Sequence, residues 1–426
     1  MPDTTGPTVD MSELRLGLFV HLDLGWMDHP FPLGSFKISS QQQIDTIRTL
    51  GLKRLRYSPD KSDPPPTDVV PAPASAAPAV PQPPSPEAQE RARHKALLQA
   101  QRLSLQQCER QFAEAAKAYR QVVDDLENQP DAARERGLAV VHGVVAHMAG
   151  AGDSAIRLLS EGLGDRTSLH SVNVMVLSLL LGKAIGLSTT ELQDLGVAAL
   201  LHDVGKTALP ERVRFREDGF TPAQFKLYQE HVGHSLNLGK QLGLNPRVLL
   251  AMAQHHEMAD GTGFPLGVRA DKIAPASCIL ALINRYDNLC NPGSPANALT
   301  PHEALSLIFA QMKERFDGNT LSAFIRMMGV YPPGSVVQLQ DGRYAMVVSV
   351  NSTRPLKPRV VVHDSQVPRD EAAVIDLEQH PGVGIKRSIK PLQLPRATLD
   401  YLSPRTRICY YFERATETAA TGGASA

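Results

Sequence analysis

Hydrophobic and polar positions change rhythm several times along the chain. Leu14–Val20 alternates in part and predicts a strand. Ser39 and Ser40 then cap a predicted helix, QQQIDTIRTLG, which stops at Gly51. Lys53–Tyr57 reads as a closing strand, so residues 12–60 predict a small α+β module. Residues 61–86 are mostly Pro, Ala and Ser, too poor in apolar surface to fold, and predict an extended linker. Residues 87–130 carry a long helix over 87–128, rich in Ala, Gln, Glu, Arg and Leu without an internal Pro or Gly. Its apolar stripe is Leu97, Leu98, Leu105, Phe112, Ala116, Tyr119, Val123 and Leu126, spaced mostly by threes and fours. That stripe predicts packing against its own domain, with a homodimer through 87–128 as the alternative. Residues 131–330 read as nearly all helix. From 331 to 413 the runs VVQLQ, YAMVVSV and RVVVH predict a small β-rich module, and the tail 414–426 predicts disorder. The fold class expected is therefore multidomain and mainly α, with a helical core between a small α+β module and a small β-rich one.

Composition narrows the function. The chain has 426 residues, with 44 Lys+Arg balanced by 44 Asp+Glu. A zero net charge argues against bulk binding to a nucleic-acid polymer or an anionic membrane. No apolar run reaches the roughly 18 residues of a membrane span, and no export signal is visible. The four cysteines show no pairing or zinc spacing and are expected to be reduced thiols in the cytoplasm.

The chemistry lies in histidine. Of 14 histidines, six fall between 170 and 256: His170, His202, His231, His234, His255 and His256. Two tight groups stand out, Leu201-His202-Asp203-Val204-Gly205-Lys206 and His255-His256-Glu257-Met258-Ala259-Asp260-Gly261-Thr262-Gly263-Phe264-Pro265. Adjacent helical residues point about 100° apart, so each pair is expected to serve two neighbouring ions rather than one. Imidazole with carboxylate suits Fe, Mn or Zn. Two ions about 3.5–4 Å apart can activate water and clamp a phosphodiester. Lys206, four residues after His202, would share its helical face and neutralise a phosphate oxygen, and Gly205 would let substrate approach.

The pattern His170…His202-Asp203…Lys206…His231…His255-His256…Asp260-Gly261-x-Gly263-Phe264-Pro265 resembles the HD-GYP domain of the HD hydrolase superfamily, over about residues 165–330. Residues 12–58 look like a module that often precedes this domain, and YPPGSVVQLQDGRYAMVV like a segment that often follows it. The resemblance implies an all-helical core and two divalent transition-metal ions, Fe or Mn. It implies hydrolysis of cyclic di-GMP to the linear dinucleotide and GMP in bacterial signalling. Carried over, His170, His202, Asp203, His231, His255 and His256 would be ligands, with Asp203 bridging. Asp203 and Lys206 would be catalytic. Lys206, Asp260, Gly261, Gly263, Phe264 and Pro265 would bind substrate. His234 aligns with no ligand.

The departures are specific. The family's last ligand, an Asp, is here Asn284, while Asp287 is retained. Arg285 adds a positive charge beside the expected ion. The family's phosphate-binding arginines correspond to Gly293-Ser294-Pro295-Ala296 and Cys278, and Arg166 stands where a third metal would need Glu. Two alternatives follow: a degenerate binding or scaffold module with a signalling protein partner, or a phosphohydrolase acting on another nucleotide.

Overall fold

The computed structural model describes residues 7–24, 29–31, 33–64, 85–150, 154–215, 219–351, 354–380 and 382–414. Most of the expected linker and nearly all of the expected disordered tail lie outside these residues. The chain divides into two compact units, Met1–Ala88 and Gln89–Ala426.

In the first unit, β1 (Thr8–Asp10), β2 (Phe19–His21), β3 (Ser35–Lys37) and β4 (Arg54–Tyr57) form an antiparallel sheet in the order β1-β4-β2-β3. Helix α1 (Gln41–Arg48) starts where the Ser40 side chain accepts from the Gln43 amide, and it buries Ile44 and Ile47. The strand expected over Leu14–Val20 is confined to its end. Gly17 adopts φ +85°, a turn conformation that breaks the extended run.

The second unit opens with α2 (Pro86–Asp125) and α3 (Pro130–Gly150). From Cys108 onward α2 buries one face, including Phe112, Ala116 and Tyr119, in the core of its own unit. A short strand, β5 (Ser154–Leu158), follows. It corrects the expectation of an almost wholly helical stretch here. All five of its residues are buried, so no polar alternation marked it as a strand.

The helical core comprises α4 (Arg166–Ala184), α5 (Thr189–Leu201), α6 (Pro222–Gln241), α7 (Pro246–Gln254), α8 (Pro275–Cys290), α9 (Pro301–Gln311) and α10 (Gly318–Met328). Their starts are written in the sequence. Asp165 caps α4, and Asn245 caps α7. Ser188 with Glu191, Thr221 with Gln224, and Thr300 with Glu303 form capping boxes on α5, α6 and α9. Between α5 and α6, Val204–Ala208 forms a 3₁₀ turn instead of continuing α5.

Beyond the helices come β6 (Val336–Leu339), β7 (Tyr344–Asn351), β8 (Arg359–Val362), β9 (Val374–Asp376), β10 (Ile385–Ser388), α11 (Arg396–Leu402) and β11 (Tyr410–Arg414). The sheet runs β10-β6-β7-β5-β11, and β8 pairs with β7 and β9. Strand β5 from the helical region therefore lies between two C-terminal strands. One hydrophobic core joins α2, the helical bundle and β11. The molecule is mainly α, with a small sheet near each end of the chain. Among the described residues, no helix is long and apolar enough to cross a membrane.

Candidate metal centre

The histidines converge from two helix ends, after α5 and α7, and from within α4 and α6. His202 follows the last residue of α5, and its Nδ1 lies 2.7 Å from the Ala199 carbonyl. His255 follows α7 with the same bond to Met252, at 2.6 Å, and His231 within α6 bonds Tyr228 at 2.5 Å. A carbonyl only accepts, so each Nδ1 carries the proton and each Nε2 presents a lone pair. Burial lowers the pKa of His202, His231 and His255, which favours these neutral forms. Burial, then His255 and His231, holds His256 well below the ordinary imidazole range.

Asp203 lies at the centre of the cluster. Its Oδ2 is 3.3 Å from His170 Nε2 and 3.4 Å from His202 Nε2. Its Oδ1 is 3.3 Å from His231 Nε2 and 3.6 Å from His255 Nε2. Two donor groups result: His170, His202 and Asp203 on one side, and Asp203, His231, His255 and His256 on the other. Burial resists the charge on Asp203, but Lys206, His202 and His170 hold its carboxyl well below the usual range. Lys206 forms a buried ion pair with Asp203 Oδ2.

The geometry fits a divalent cation. His231 Nε2 and His255 Nε2 stand 3.4 Å apart with no proton between them. Asp203 Oδ1 and His256 Nε2 are buried without a hydrogen-bond partner. Facing lone pairs and an orphaned carboxylate oxygen repel one another unless a positive ion lies among them. His255 and His256, expected to aim at different ions, both fall in the donor group of Asp203 and His231. α7 ends at Gln254, and the two rings close to 4.1 Å within one donor group.

His170 differs from the other imidazoles. Its Nδ1 is 2.5 Å from Asp287 Oδ2. Burial opposes a charge on this ring, but Asp203 and Asp287 outweigh it and raise the pKa to about 9. Asp287 thus fixes the ring through Nδ1 and leaves Nε2 facing Asp203. Asn284 is buried, and its Oδ1 accepts from Asn288 Nδ2 at 2.6 Å.

Two expectations near Asp203 are corrected. Lys206 reaches the site through the three-residue step of the 3₁₀ turn, not through continuation of α5. A Cβ on Gly205 would lie 2.3 Å from the His231 carbonyl oxygen and 2.3 Å from the Ser235 amide. Gly205 is therefore needed for the turn to seat against α6, not for substrate approach.

A cavity of about 630 Å³ opens beside the cluster. Lys206, Gly263 and Phe264 line it, as do His255, His256 and Asn284. Asp260, Gly261 and Pro265 do not. Asp260 instead accepts from the Thr262 amide and hydroxyl, and Gly261 turns the loop at φ +80°. Phe264 stacks on His256 with ring centroids 4.4 Å apart. His234 stays outside both donor groups, and Cys278 is absent from the lining. All four cysteines are free, and Cys108, Cys290 and Cys409 are buried.

Several contributors went unassigned in the sequence. Glu257 is 2% exposed and accepts from the Leu266 and Val268 amides, which holds the loop after His256. Its place in His-His-Glu was the only available signal. The Tyr228 ring lies 5.3 Å from the Lys206 ammonium. Arg166, Arg285 and Arg315 line the cavity, and Arg166 stacks on Phe215 at 3.7 Å. They arrive from α4, α8 and the segment after α9, so no local motif gathers them.

Residues 155–320 match the HD domain, residues 8–136 a domain of unknown function (DUF3391), and residues 336–397 a KOW domain associated with the HD domain. The chain is 29% identical over 369 residues to cyclic di-GMP phosphodiesterase PA4108 of Pseudomonas aeruginosa, covering 83% of this chain and 84% of that protein. It is 22% identical over 222 residues to cyclic di-GMP phosphodiesterase PdeB of Borreliella burgdorferi, covering 51% of this chain and 59% of that protein. It is 25% identical over 166 residues to 3'3'-cGAMP-specific phosphodiesterase 3 of Vibrio cholerae, covering 39% of this chain and 36% of that protein.

Proposed function

We propose that this HD-domain chain is a metal-dependent phosphodiesterase that hydrolyses cyclic di-GMP in second-messenger signalling. The observation that carries the reading is the sharing of Asp203 between two buried donor groups beside a cavity of about 630 Å³. That volume lies within the roughly 300–1,000 Å³ of small-molecule sites. His170, His202 and Asp203 would hold one ion, and Asp203, His231, His255 and His256 the other. Imidazole with carboxylate suits Fe, Mn or Zn, and the resemblance to the HD-GYP domain points to Fe or Mn. When bound, the ions supply Lewis acidity and a water acidic enough to act as nucleophile near neutral pH.

The chain's own residues do the rest. Lys206, fixed by Asp203, places a positive charge where a phosphoryl oxygen gains negative charge. Arg166, Arg285 and Arg315 supply the cations that the family's own arginine positions lack here, and guanidinium suits bidentate phosphate contact. Asp287 keeps Nδ1 of His170 as donor, leaving Nε2 to face Asp203. Water adds to one phosphorus, one phosphodiester P–O bond breaks, and the ring opens to the linear dinucleotide.

The competing reading is a binding module without turnover, favoured by Asn284, whose amide oxygen is taken by Asn288. The test is cyclic di-GMP turnover by protein loaded anaerobically with Fe(II) or Mn(II), beside Asp203→Asn. Turnover is expected in the native chain and absent in the variant. A folded native chain carrying two ions and showing no turnover would sink the hydrolase reading. Faster cleavage of 3'3'-cGAMP would instead move only the substrate.

A further inference from the structure

His170 is held from the far end of the chain. Asp287 accepts from His170 Nδ1 through Oδ2, at 2.5 Å. Its Oδ1 accepts from Asn173 Nδ2 at 2.5 Å and from Asn291 Nδ2 at 2.9 Å. Both amides also grip the segment leading into β11. Asn291 donates to the Ile408 carbonyl at 2.8 Å and accepts from the Ile408 amide at 2.8 Å. Asn173 accepts from the Tyr410 amide at 2.7 Å and donates to the Ile408 carbonyl at 3.3 Å. Asn173 and Asp287 are each about 1% exposed.

Simple fastening of the strand would leave Asp287 uninvolved. Here two amides occupy one of its oxygens and leave the other for the imidazole. The backbone at Ile408 and Tyr410 fixes both amides. Arg407 and Cys409 from the same segment line a small cavity together with His170, Asp203 and Asp287.

We propose that the C-terminal segment Ile408–Tyr410, acting through Asn173, Asn291 and Asp287, is a positioning device for His170, so that ion binding on the His170 side of Asp203 depends on the C-terminal sheet. This rests on the reading of His170 as a metal ligand. Asn173 and Asn291 are positioning residues and contact neither ion nor substrate. A partner that aims a ligand's second nitrogen typically sets about ten- to a hundredfold in metal affinity. The His231 side is expected to lack this dependence, because His231 and His255 are fixed by carbonyls three residues earlier.

The test uses full-length protein freed of metal and titrated with Mn(II), counted by electron paramagnetic resonance, with Co(II) absorption spectra in parallel. Native protein is expected to take two ions. Asn291→Ala and Asn173→Ala should weaken one ion about tenfold or more and change one Co(II) spectrum, leaving the other ion unaltered. Asn291→Ser serves if the alanine variant does not fold. Phe412→Leu, in β11 but outside this network, should lower the melting temperature and keep both affinities. The proposal is overturned if the asparagine variants bind both ions as tightly as the native chain. It is equally overturned if Phe412→Leu weakens the same ion to the same degree. Native protein taking no Mn(II) or Co(II) would defeat the metal reading itself, and this inference with it. A single ion would remove only the two-ion reading, and unchanged affinity in the asparagine variants would then overturn the positioning role.

Discussion

The two sides of Asp203 solve the same problem in opposite ways. On the His231 side, three imidazoles come from α6 and the end of α7. His231 and His255 are fixed by carbonyls three residues earlier, and lone pairs face one another at 3.4 Å. On the His170 side only two imidazoles are present. Their Nε2 atoms lie 3.3 Å apart, and His170 is charged with its pKa raised to about 9. A proton can therefore occupy the space between those two rings. The His231 side has no such substitute, and only a cation relieves it. Local helix geometry aims His231, His255 and also His202, whereas His170 is aimed by residues from α4, α8 and the segment entering the C-terminal strand. Ligand number and ligand aim are separate design variables, and the sides differ in both.

Gly205→Ala should break the comparison most severely. Its new Cβ would meet the His231 carbonyl oxygen and Ser235 amide at 2.3 Å, with backbone rather than a flexible side chain in the way. Overpacking of this kind costs about 1–3 kcal/mol. The expected result is a lower denaturation midpoint and loss of the ion on the His231 side, with the His170 side still occupied. Two ions bound normally would show that the close approach does not aim His231.

The next effect is on pH. On the proposed two-ion reading, a metal bound at His170 Nε2 would have to displace its proton. Because that pKa is raised to about 9, affinity on this side should rise about tenfold per pH unit from about 7 to 9 and then level off. The His231 side, with rings already neutral, should show little slope over that range. Without metal the sign reverses. The charged His170 contributes stability that is complete below about 6.5 and lost as pH rises through about 9. Thermal melts of metal-free native protein and His170→Gln across this window should converge at the alkaline end. Parallel curves would remove the charged-imidazole account.

The smallest effect is expected from Asn284→Asp. A carboxylate restores a charge beside two cations and should tighten the weaker ion severalfold and raise turnover. Equilibrium dialysis with Mn(II) reads this directly, and unchanged affinity would mean that position 284 does not face the ions.

Much of this was legible in the chain. The cap at Ser40 is read from the chain, and its side-chain oxygen does satisfy the Gln43 amide. Part of the buried cluster stood out in the sequence because His202-Asp203 and His255-His256 are adjacent pairs, whereas His170 and His231 join it from within α4 and α6. The misreadings have a common cause. Leu14–Leu18 looked extended until Gly17 turned, and β5 looked helical because burial on both faces erases periodicity. Gly205, Asp260 and Gly261 were read toward substrate, whereas backbone packing and a local turn use them, and only Gly263 and Phe264 of that loop line the cavity.

The sequence by itself determined the ligand types, the neutral charge balance, the capped helices and the β-rich end of the chain, because these follow from residue chemistry and short spacings. Tertiary structure alone decided which histidines gather on each side of Asp203, which oxygen of Asp287 faces His170, and which arginines line the cavity. Those outcomes depend on contacts between residues tens to hundreds of positions apart, such as His231 with His255, His170 with Asp287 and Asn173 with Ile408. A spacing rule carries no information across such distances, and only the packed core brings the atoms together.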